Sequence, residues 1–204
     1  MFFITFEGIE GSGKTTICKK LLTSLLELNY KVKLIREPGG NDLSEPIRQL
    51  IINNETKFTP LSEVFLFFAS QLQNNYMHWN KEWEIIISDR YFDSTIVYDG
   101  YVKNEGMEKI DLLRKQINLK IPDLTVWIDI DPKVAMQRIK KRVNEESNRF
   151  DKYPLSFHQK VREGYQKLQL KYSERIIKIE NNGELRNTFD QVLKLIKSRI
   201  ETKA

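Results

Sequence analysis

The sequence contains one cysteine and only two histidines among its 204 residues. A lone Cys18 cannot form an internal disulfide, and His78 and His158 do not make a Cys/His cluster of the zinc-binding kind. No apolar run approaches the roughly 20 residues that a membrane-spanning helix requires. Residues 1–7 form too short an apolar stretch for a secretory signal, because the acidic Glu7 already ends it. These features predict a cytoplasmic protein in which Cys18 is a small buried residue of a helix.

The sequence also lacks internal repeats, low-complexity tracts and Ser/Gly-rich linkers. Hydrophobic residues make up 40% and charged residues 30% of the chain, which is typical of a globular protein. The net charge of +5 suits either a nucleic-acid binder or an enzyme that binds polyphosphates. Because the Lys and Arg residues are spread along the chain and mixed with Glu, charge alone leaves both interpretations open.

Short apolar runs alternate with amphipathic segments along the chain, and this alternation predicts a single α/β domain over residues 1–204. We predict a five-stranded parallel sheet covered by helices on both faces, with the third strand in a central position. The predicted strands are 2–6, 31–35, 85–87, 124–130 and 176–179. The predicted helices are 14–28, 43–53, 61–83, 108–119, one that begins at Pro132, 155–172 and 185–200. Ligands of such sheets bind at the carboxyl ends of the strands.

A phosphate-binding loop follows the first predicted strand. Its residues are Gly8, Ile9, Glu10, Gly11, Ser12, Gly13, Lys14 and Thr15, which fit the pattern G-x-x-x-x-G-K-[ST]. In such a loop the backbone N–H groups and the helix N-terminus hold phosphate oxygens. We expect Lys14 to reach the β- and γ-phosphates of ATP and the Thr15 hydroxyl to ligate Mg²⁺. With the parallel sheet, the loop predicts the three-layer P-loop NTPase fold.

Other nucleotide-binding proteins fit this loop less well. A dinucleotide fingerprint would need a glycine at Thr16. A GTPase would normally show an Asn-Lys-x-Asp segment, which the sequence does not contain. Motor and helicase ATPases generally need a longer chain. The loop is therefore most typical of a small kinase.

Two polar clusters follow other predicted strands, where a second substrate would bind. Residues 36–40 contain Pro-Gly-Gly, which also suits an ordinary tight turn. Asp89 and Arg90 follow the apolar triplet 85–87, where charged residues form either an internal ion pair or a site. As site residues, Arg90 would offer a planar fork to an acceptor phosphate, and Asp89 would orient the metal or its waters.

The basic segment at about 138–154 allows two interpretations on its composition. It is either a solvated helix end followed by a loop, or a mobile lid whose arginines neutralise charge on the transferring phosphoryl group. A lid would also exclude water from bound ATP.

Several motifs, in their order along the chain, resemble those of the thymidylate kinase family. The resemblance covers about residues 2–195. It rests on 6–16, 36–40, 89–91, Ser94, Thr95, Tyr98, 122–125, 148–151 and 157–165. It implies a homodimeric, cytoplasmic enzyme that makes dTDP from dTMP and ATP with Mg²⁺, without nucleic acid or membrane as a partner.

The resemblance also implies roles for individual residues. Residues 8–16, Thr16 included, would bind ATP, while Glu10 and Glu37 would bracket the sugar and the metal–phosphate region. Arg48 and Arg90 would hold the acceptor phosphate. The remaining residues would contact the nucleoside: Phe67 would stack on thymine, Ser94 and Thr95 would approach the base or phosphate, and Tyr98 would favour deoxyribose. Phe67 also lies in the apolar run 65–68, which is more often core.

Three positions depart from the family or from its eukaryotic type. Gly11 stands where the eukaryotic type has an arginine, which implies that Arg149 of the lid, or secondly Arg142, is the catalytic arginine. Gln71 replaces a common arginine and keeps a donor without the charge and fork. Asp99 replaces a frequent glutamine and is an acceptor only. Gln71 motivates the hypothesis that dUMP or dGMP is also accepted.

Two alternatives to this function differ in kind. Another P-loop nucleotide kinase would have a relaxed or different base choice. A non-catalytic regulator that retains a nucleotide pocket would bind without phosphoryl transfer, and a nucleic-acid binder of this type would be salt-sensitive. The set of Lys14, Thr15, Arg90 and Arg149 favours the kinase.

Overall fold

A computed structural model describes residues 1–53, 56–79, 81–141 and 149–203. Its five strands are β1 (Phe2–Glu7), β2 (Val32–Arg36), β3 (Ile85–Asp89), β4 (Leu124–Asp129) and β5 (Ile176–Glu180). They form one parallel sheet in the order β2-β3-β1-β4-β5. The predicted five-stranded parallel sheet is confirmed. The strand predicted to be central is β3, which lies inside the sheet next to the middle strand, β1.

The interior strands are apolar on both faces because helices cover both. All six residues of β1 are buried, and Phe2, Ile4 and Phe6 alternate with Phe3 between two separate hydrophobic clusters. Successive side chains of a strand point to opposite faces, so one strand contributes to both clusters. This arrangement gives the predicted three layers, with a packed core above and below the sheet.

One face of the sheet packs against two helices, α1 (Lys14–Glu27) and α8 (Leu185–Lys203). Ile17, Leu21 and Leu25 of α1 are fully buried there, and they follow the helical spacing read from the sequence. Cys18 is buried in the same cluster as a free thiol, as predicted.

The opposite face carries the remaining helices. They are α2 (Ser44–Ile52), α3 (Pro60–His78), α4 (Phe92–Thr95), α5 (Met107–Gln116), α6 (Pro132–Lys140) and α7 (Leu155–Lys171), with a π-helix at Ile96–Val102 between α4 and α5. Asp131 caps α6 by accepting a hydrogen bond from the Lys133 N–H, and Pro132 begins that helix as predicted. No helix of the described ranges is both long enough and apolar enough to cross a bilayer.

Two helical predictions need correction. Helix α3 ends at His78 rather than at residue 83, because the backbone of Glu84 and Ile85 is already hydrogen-bonded to the Lys31 carbonyl at the edge of the sheet. Trp83 lies outside the helix but packs against the core, so its apolar side chain made the helical pattern in the sequence look longer than the helix is. The sequence predicted no helix at 92–102, where α4 continues into the π-helix. π-Helical turns are often found at functional sites.

Candidate active site at the carboxyl edge of the sheet

The loop between β1 and α1 has a backbone conformation that requires glycine. Gly8 adopts φ +142°, and a Cβ there would lie 2.4 Å from the Ile128 carbonyl oxygen. Lys14 Nζ donates to the carbonyl oxygens of Gly8 at 2.9 Å and Ile9 at 2.8 Å, and to Ser12 Oγ at 3.2 Å. Burial lowers the pKa of Lys14 to about 8, and the positive charge of Arg90 acts in the same direction.

A residue distant in sequence supports this loop from behind. Asn181, which follows β5, donates through Nδ2 to the Ser12 carbonyl oxygen at 2.7 Å. Its Oδ1 accepts from the Thr188 hydroxyl at 3.0 Å, so the amide orientation is fixed. No local sequence pattern connects Asn181 with the loop, so this role could not be predicted.

The two residues proposed as metal ligands lie in contact. The Thr15 hydroxyl donates to Asp89 Oδ2 at 2.5 Å, across the gap between the start of α1 and the end of β3. A hydroxyl and a carboxylate oxygen side by side are the hard oxygen donors that Mg²⁺ prefers. The donor set therefore fits this ion.

Arg90 directly follows β3, and three side chains hold its guanidinium. Its Nη2 donates to Glu10 Oε1 at 2.7 Å, and its Nη1 donates to Ser94 Oγ at 3.0 Å and to the Tyr165 hydroxyl at 3.4 Å. Its backbone adopts φ +71°, a strained value for a residue other than glycine. Such strain persists only where neighbouring contacts fix the conformation, as they do here.

Glu10 is the anionic centre of this cluster. It accepts from Arg90 and, on both oxygens, from the Tyr98 hydroxyl at 2.8 and 2.9 Å, and His158 Nδ1 lies 3.4 Å from Oε2. Burial alone would raise the pKa of Glu10, but the charge of Arg90 and a lesser effect of Lys14 hold it at about 2. Glu10 is therefore ionised at every physiological pH.

Glu37 occupies a different environment in the segment after β2. Its carboxyl is buried and forms no ion pair with any residue of the described ranges; it accepts from Ser70 Oγ and Asn74 Nδ2, each at 2.8 Å. Burial raises the pKa of Glu37 to about 8, and the two hydrogen bonds oppose that rise only in part. Arg48 reaches the same segment by donating to the Pro38 carbonyl oxygen at 3.1 Å.

The apolar run at 65–68 divides between three environments. Phe65 is exposed, Phe67 is half-buried and lines the cleft, and Phe68 belongs to the core. The alternative that the run is core applies to Phe68, whereas the stacking of Phe67 on a base stays a prediction for a residue that lines the cleft. Helical geometry separates adjacent residues by about 100°, so a run of four cannot face one environment.

Gln71 and Asp99 also line the cleft, and each has one buried oxygen that is not hydrogen-bonded to any described residue. Gln71 Nε2 donates weakly to Thr95 Oγ1 at 3.4 Å, whereas Asp99 Oδ1 accepts from Lys103 Nζ at 2.8 Å. Burial raises the pKa of Asp99 to about 7, although Lys103 acts against this. Buried polar atoms of this kind are costly unless a ligand completes them.

Arg149 lies away from the cleft. Its guanidinium forms an ion pair with Glu63 of α3, whose other oxygen accepts from Lys103 Nζ at 2.5 Å. Phe150 and Asp151, the next two residues, do line the cleft. Arg142 and the rest of 142–148, part of the predicted lid, lie outside the described residues.

The cleft has a volume of about 500 Å³. The predicted site residues line it, with the exceptions of Gly8, Ile9, Ser12 and Arg149. Sequence reasoning gave no role to Arg36, Tyr91, Phe150 or Asp151, which also line it, or to Glu7 and Tyr165 behind it. Tyr165 is the last residue of the family motif at 157–165, and that position was the one sequence feature that could have indicated its role.

The chain matches a family model described as thymidylate kinase over residues 6–192. A thymidylate kinase of Acholeplasma laidlawii is 39% identical over 201 residues, covering 97% of this chain and 100% of that protein. A thymidylate kinase of Clostridium novyi is 40% identical, covering 96% and 98%. The crystal structure of thymidylate kinase from Ehrlichia chaffeensis superposes with a TM-score of 0.77 at 30% identity, covering 96% of this chain and 98% of that one.

Proposed function

The chain belongs to the thymidylate kinase family, and from that premise we propose how its cleft transfers the γ-phosphoryl group of ATP to dTMP. The enzyme is an ATP:dTMP phosphotransferase of the P-loop type, and its product is dTDP. The assignment of the site depends on one observation: Lys14 and Arg90 line the same cleft. Donor and acceptor phosphates must meet in line, so each needs its own cation at one place.

We assign ATP binding to residues 8–16. The inward-facing backbone of the loop and the N-terminus of α1 suit phosphate oxygens. The three oxygens that now accept from Lys14 would be exchanged for oxygens of the β- and γ-phosphates. A pKa of about 8 keeps most Lys14 side chains charged at pH 7, and phosphate would favour that charge further.

Thr15 and Asp89 would hold Mg²⁺, since their oxygens touch at the loop end of the cleft. When bound, the ion neutralises charge on the phosphate oxygens. The contribution of the protein is to orient the two ligands: Thr15 by the start of α1, and Asp89 by the pairing of β3 with β1.

We assign the acceptor phosphate to Arg90 and Arg48, which both line the cleft. Phe67 would stack on the base. Tyr98, fixed by its two hydrogen bonds to Glu10, would crowd the 2′ position of the sugar. Glu37, Ser94 and Thr95 complete this side. Because Glu10 and Arg90 are already paired, the acceptor phosphate would share Arg90 with Glu10.

We propose Arg149 as the catalytic arginine of the lid. Gly11 adopts φ +75°, and a Cβ there would lie 2.6 Å from the Ala135 carbonyl oxygen. An arginine at that position of the loop would therefore be strained, and the duty passes to another segment. Arg149 adjoins the cleft-lining residues Phe150 and Asp151, so a short movement from Glu63 would bring it to the phosphates.

We also propose that the enzyme is a homodimer that assembles through α2 and α3. Phe65, Leu72 and Tyr76 lie at i, i+7 and i+11 of α3, and all three are exposed on one face of that helix. Leu50 of α2, which packs beside α3, extends the exposed apolar surface. Contiguous exposed apolar surface of this kind marks interaction sites.

We place the enzyme in the cytoplasm. Cys18 is a buried residue of α1, and burial raises the pKa of its thiol well above the usual value, so the thiol is unreactive. A chain with one inert thiol and no disulfide is typical of a reducing compartment. Its substrates, ATP and dTMP, are also found there.

A coupled assay of ADP release tests the reaction and its acceptor together. We expect rapid turnover with dTMP, slower turnover with dUMP, and little with UMP or thymidine. Turnover of UMP as fast as that of dTMP would contradict the acceptor assignment. Thymidine as the best acceptor would indicate a nucleoside kinase, and salt-sensitive nucleic-acid binding without any turnover would indicate a non-catalytic protein.

A further inference from the structure

Glu7, the last residue of β1, is a fully buried carboxyl group with four hydrogen-bond donors. Within the described part of the chain, no cationic side chain contacts it directly. Its Oε1 accepts from the backbone N–H groups of Tyr91 at 2.8 Å and Ser94 at 3.3 Å. Its Oε2 accepts from the Ser94 hydroxyl at 2.5 Å and the Tyr165 hydroxyl at 2.8 Å. Both oxygens thus serve only as acceptors.

These donors connect Glu7 with Arg90. Each hydroxyl has a single hydrogen, and Ser94 and Tyr165 can each donate it to Glu7 Oε2, while their own oxygens lie 2.9 Å apart. Their oxygen lone pairs are left for Arg90 Nη1, which donates to both, at 3.0 and 3.4 Å. Glu7 also fixes the Tyr91 N–H, directly after the strained backbone of Arg90.

We propose that Glu7 is a positioning residue for acceptor binding: it orients the hydroxyls of Ser94 and Tyr165 so that both hold the Arg90 guanidinium toward the acceptor phosphate. The inference rests on the proposed function, in which Arg90 binds that phosphate. Glu7 itself does not touch the substrate, since it is fully buried behind the cleft.

The arrangement requires a carboxylate rather than an isosteric amide. A glutamine would place its NH₂ either against two backbone N–H groups or against two hydroxyls. In the first case donors oppose donors, and in the second the hydroxyl hydrogens must turn toward Arg90 or each other. Burial, followed by the nearby charge of Asp93, raises the pKa of Glu7 to about 7, and the hydrogen bonds from Ser94 and Tyr165 oppose that rise.

The test compares Glu7→Gln, Ser94→Ala and Tyr165→Phe, alone and combined, in steady-state assays with dTMP and ATP varied separately. We expect Glu7→Gln to raise the KM for dTMP by at least about tenfold and to change the KM for ATP by less than about twofold. In the Ser94→Ala/Tyr165→Phe background, Glu7→Gln should add less than about twofold, because the hydroxyls through which it acts are gone.

Tyr172→Phe is the matched control, since it removes a tyrosine hydroxyl that donates to a carboxylate elsewhere, Asp111, at 3.0 Å. It should leave both KM values unchanged. An unchanged KM for dTMP in Glu7→Gln, an equal rise of both KM values, or full additivity in the combined variants would overturn the inference. A wild type that does not phosphorylate dTMP would instead refute the proposed function.

Thermal unfolding of each variant shows whether it folds. Where Glu7→Gln does not fold, Glu7→Asp keeps the charge and withdraws the acceptor oxygens by one methylene. The inference then predicts that Glu7→Asp and Tyr165→Phe raise the KM for dTMP selectively and that their effects do not add. Additive effects, or equal effects on ATP, would overturn it.

Discussion

The Arg149 guanidinium is paired with the Glu63 carboxylate, so the arginine assigned to the lid lies against α3 rather than against the P-loop. Glu63 is buried and also holds Lys103, which in turn contacts Asp99 of the cleft at 2.8 Å. Four charges of alternating sign therefore connect the base side of the cleft with the lid. To reach the phosphates, Arg149 must leave Glu63.

We expect opposite effects from changes to the two members of this pair. Arg149→Ala should lower kcat by about a hundredfold or more, because charge on the transferring group loses its stabilisation. Glu63→Gln should raise kcat/KM about two- to fivefold, since the competing pair is weakened. Steady-state kinetics measure both.

Glu105→Gln, which removes a surface partner of Lys109, is the control and should change nothing. If Arg149→Ala turned over normally, the catalytic duty would lie elsewhere. If Glu63→Gln were as inactive as Arg149→Ala, the pair would support catalysis rather than compete with it.

The Arg149–Glu63 pair also indicates what the sequence could and could not predict. The strands and the P-loop were predictable because their signals are local: period, glycines and the lysine. Glu63 and Arg149 are separated by 86 residues, and no local pattern connects them. In the sequence, Glu7 is recognisable only as the residue that ends the first apolar run. Its role depends on Ser94 and Tyr165, which only the folded chain brings into contact with it.

The π-helix was missed for a related reason. Ile96, Val97 and Val102 are buried, so the segment has the apolar content of an ordinary helix or strand. A change from α- to π-geometry leaves no clear trace in hydrophobic spacing. The position of Tyr98 and Asp99 in the cleft could therefore be predicted only from the resemblance to a known family or seen in the structure.

Lys14 is the residue whose loss we expect to affect turnover most without unfolding the chain. Lys14→Ala should lower kcat by at least about a hundredfold, because the β- and γ-phosphates lose their protein cation. The removal of a buried charge should leave the thermal midpoint within a few degrees of the wild type. Lys20→Ala removes an exposed lysine of α1 that does not line the cleft, and it serves as the control. Near-normal turnover of Lys14→Ala would contradict the mechanism.

Base selectivity should depend on Gln71. Its Oε1 has no hydrogen-bond partner among the residues described here, and its Nε2 makes only a long contact with Thr95. We expect Gln71→Arg to raise the ratio of kcat/KM for dTMP over dGMP by about tenfold, as a charged fork contacts the thymine carbonyl. The ratio for dTMP over dUMP should change little, because uracil carries the same carbonyl. Both ratios are measured by competition between acceptors. An equal ratio for dTMP over dGMP in wild type and variant would reject relaxed selectivity.

The homodimer should depend on the apolar face of α3. Wild-type protein should elute with about twice the 24.2 kDa mass of the chain in light scattering coupled to size exclusion. Phe65→Asp should shift it to the monomer, because a charge would be buried at the centre of the interface. Leu170→Asp changes a still more exposed apolar residue, on α7, and should remain dimeric. Dissociation of both variants, or of neither, would contradict this interface.

Glu37 should make stability fall as pH rises. The folded-state pKa is about 8 and the usual value is 4.5, so the folded chain holds the proton more tightly than the unfolded chain. The contribution is therefore fully present below about pH 4.5 and is lost as pH rises toward 8, by about 5 kcal/mol in all.

Glu37→Gln isolates this effect from those of Glu7 and Asp99, whose pKa values are also raised. The amide cannot ionise, and it can accept from Asn74 while donating to Ser70, so the buried hydrogen bonds are preserved. We expect the variant to gain stability relative to the wild type between pH 5 and pH 8, measured as the free energy of unfolding in urea. A constant difference across that range would mean that Glu37 titrates alike in both states, and that its burial among Ser70 and Asn74 does not hold the proton.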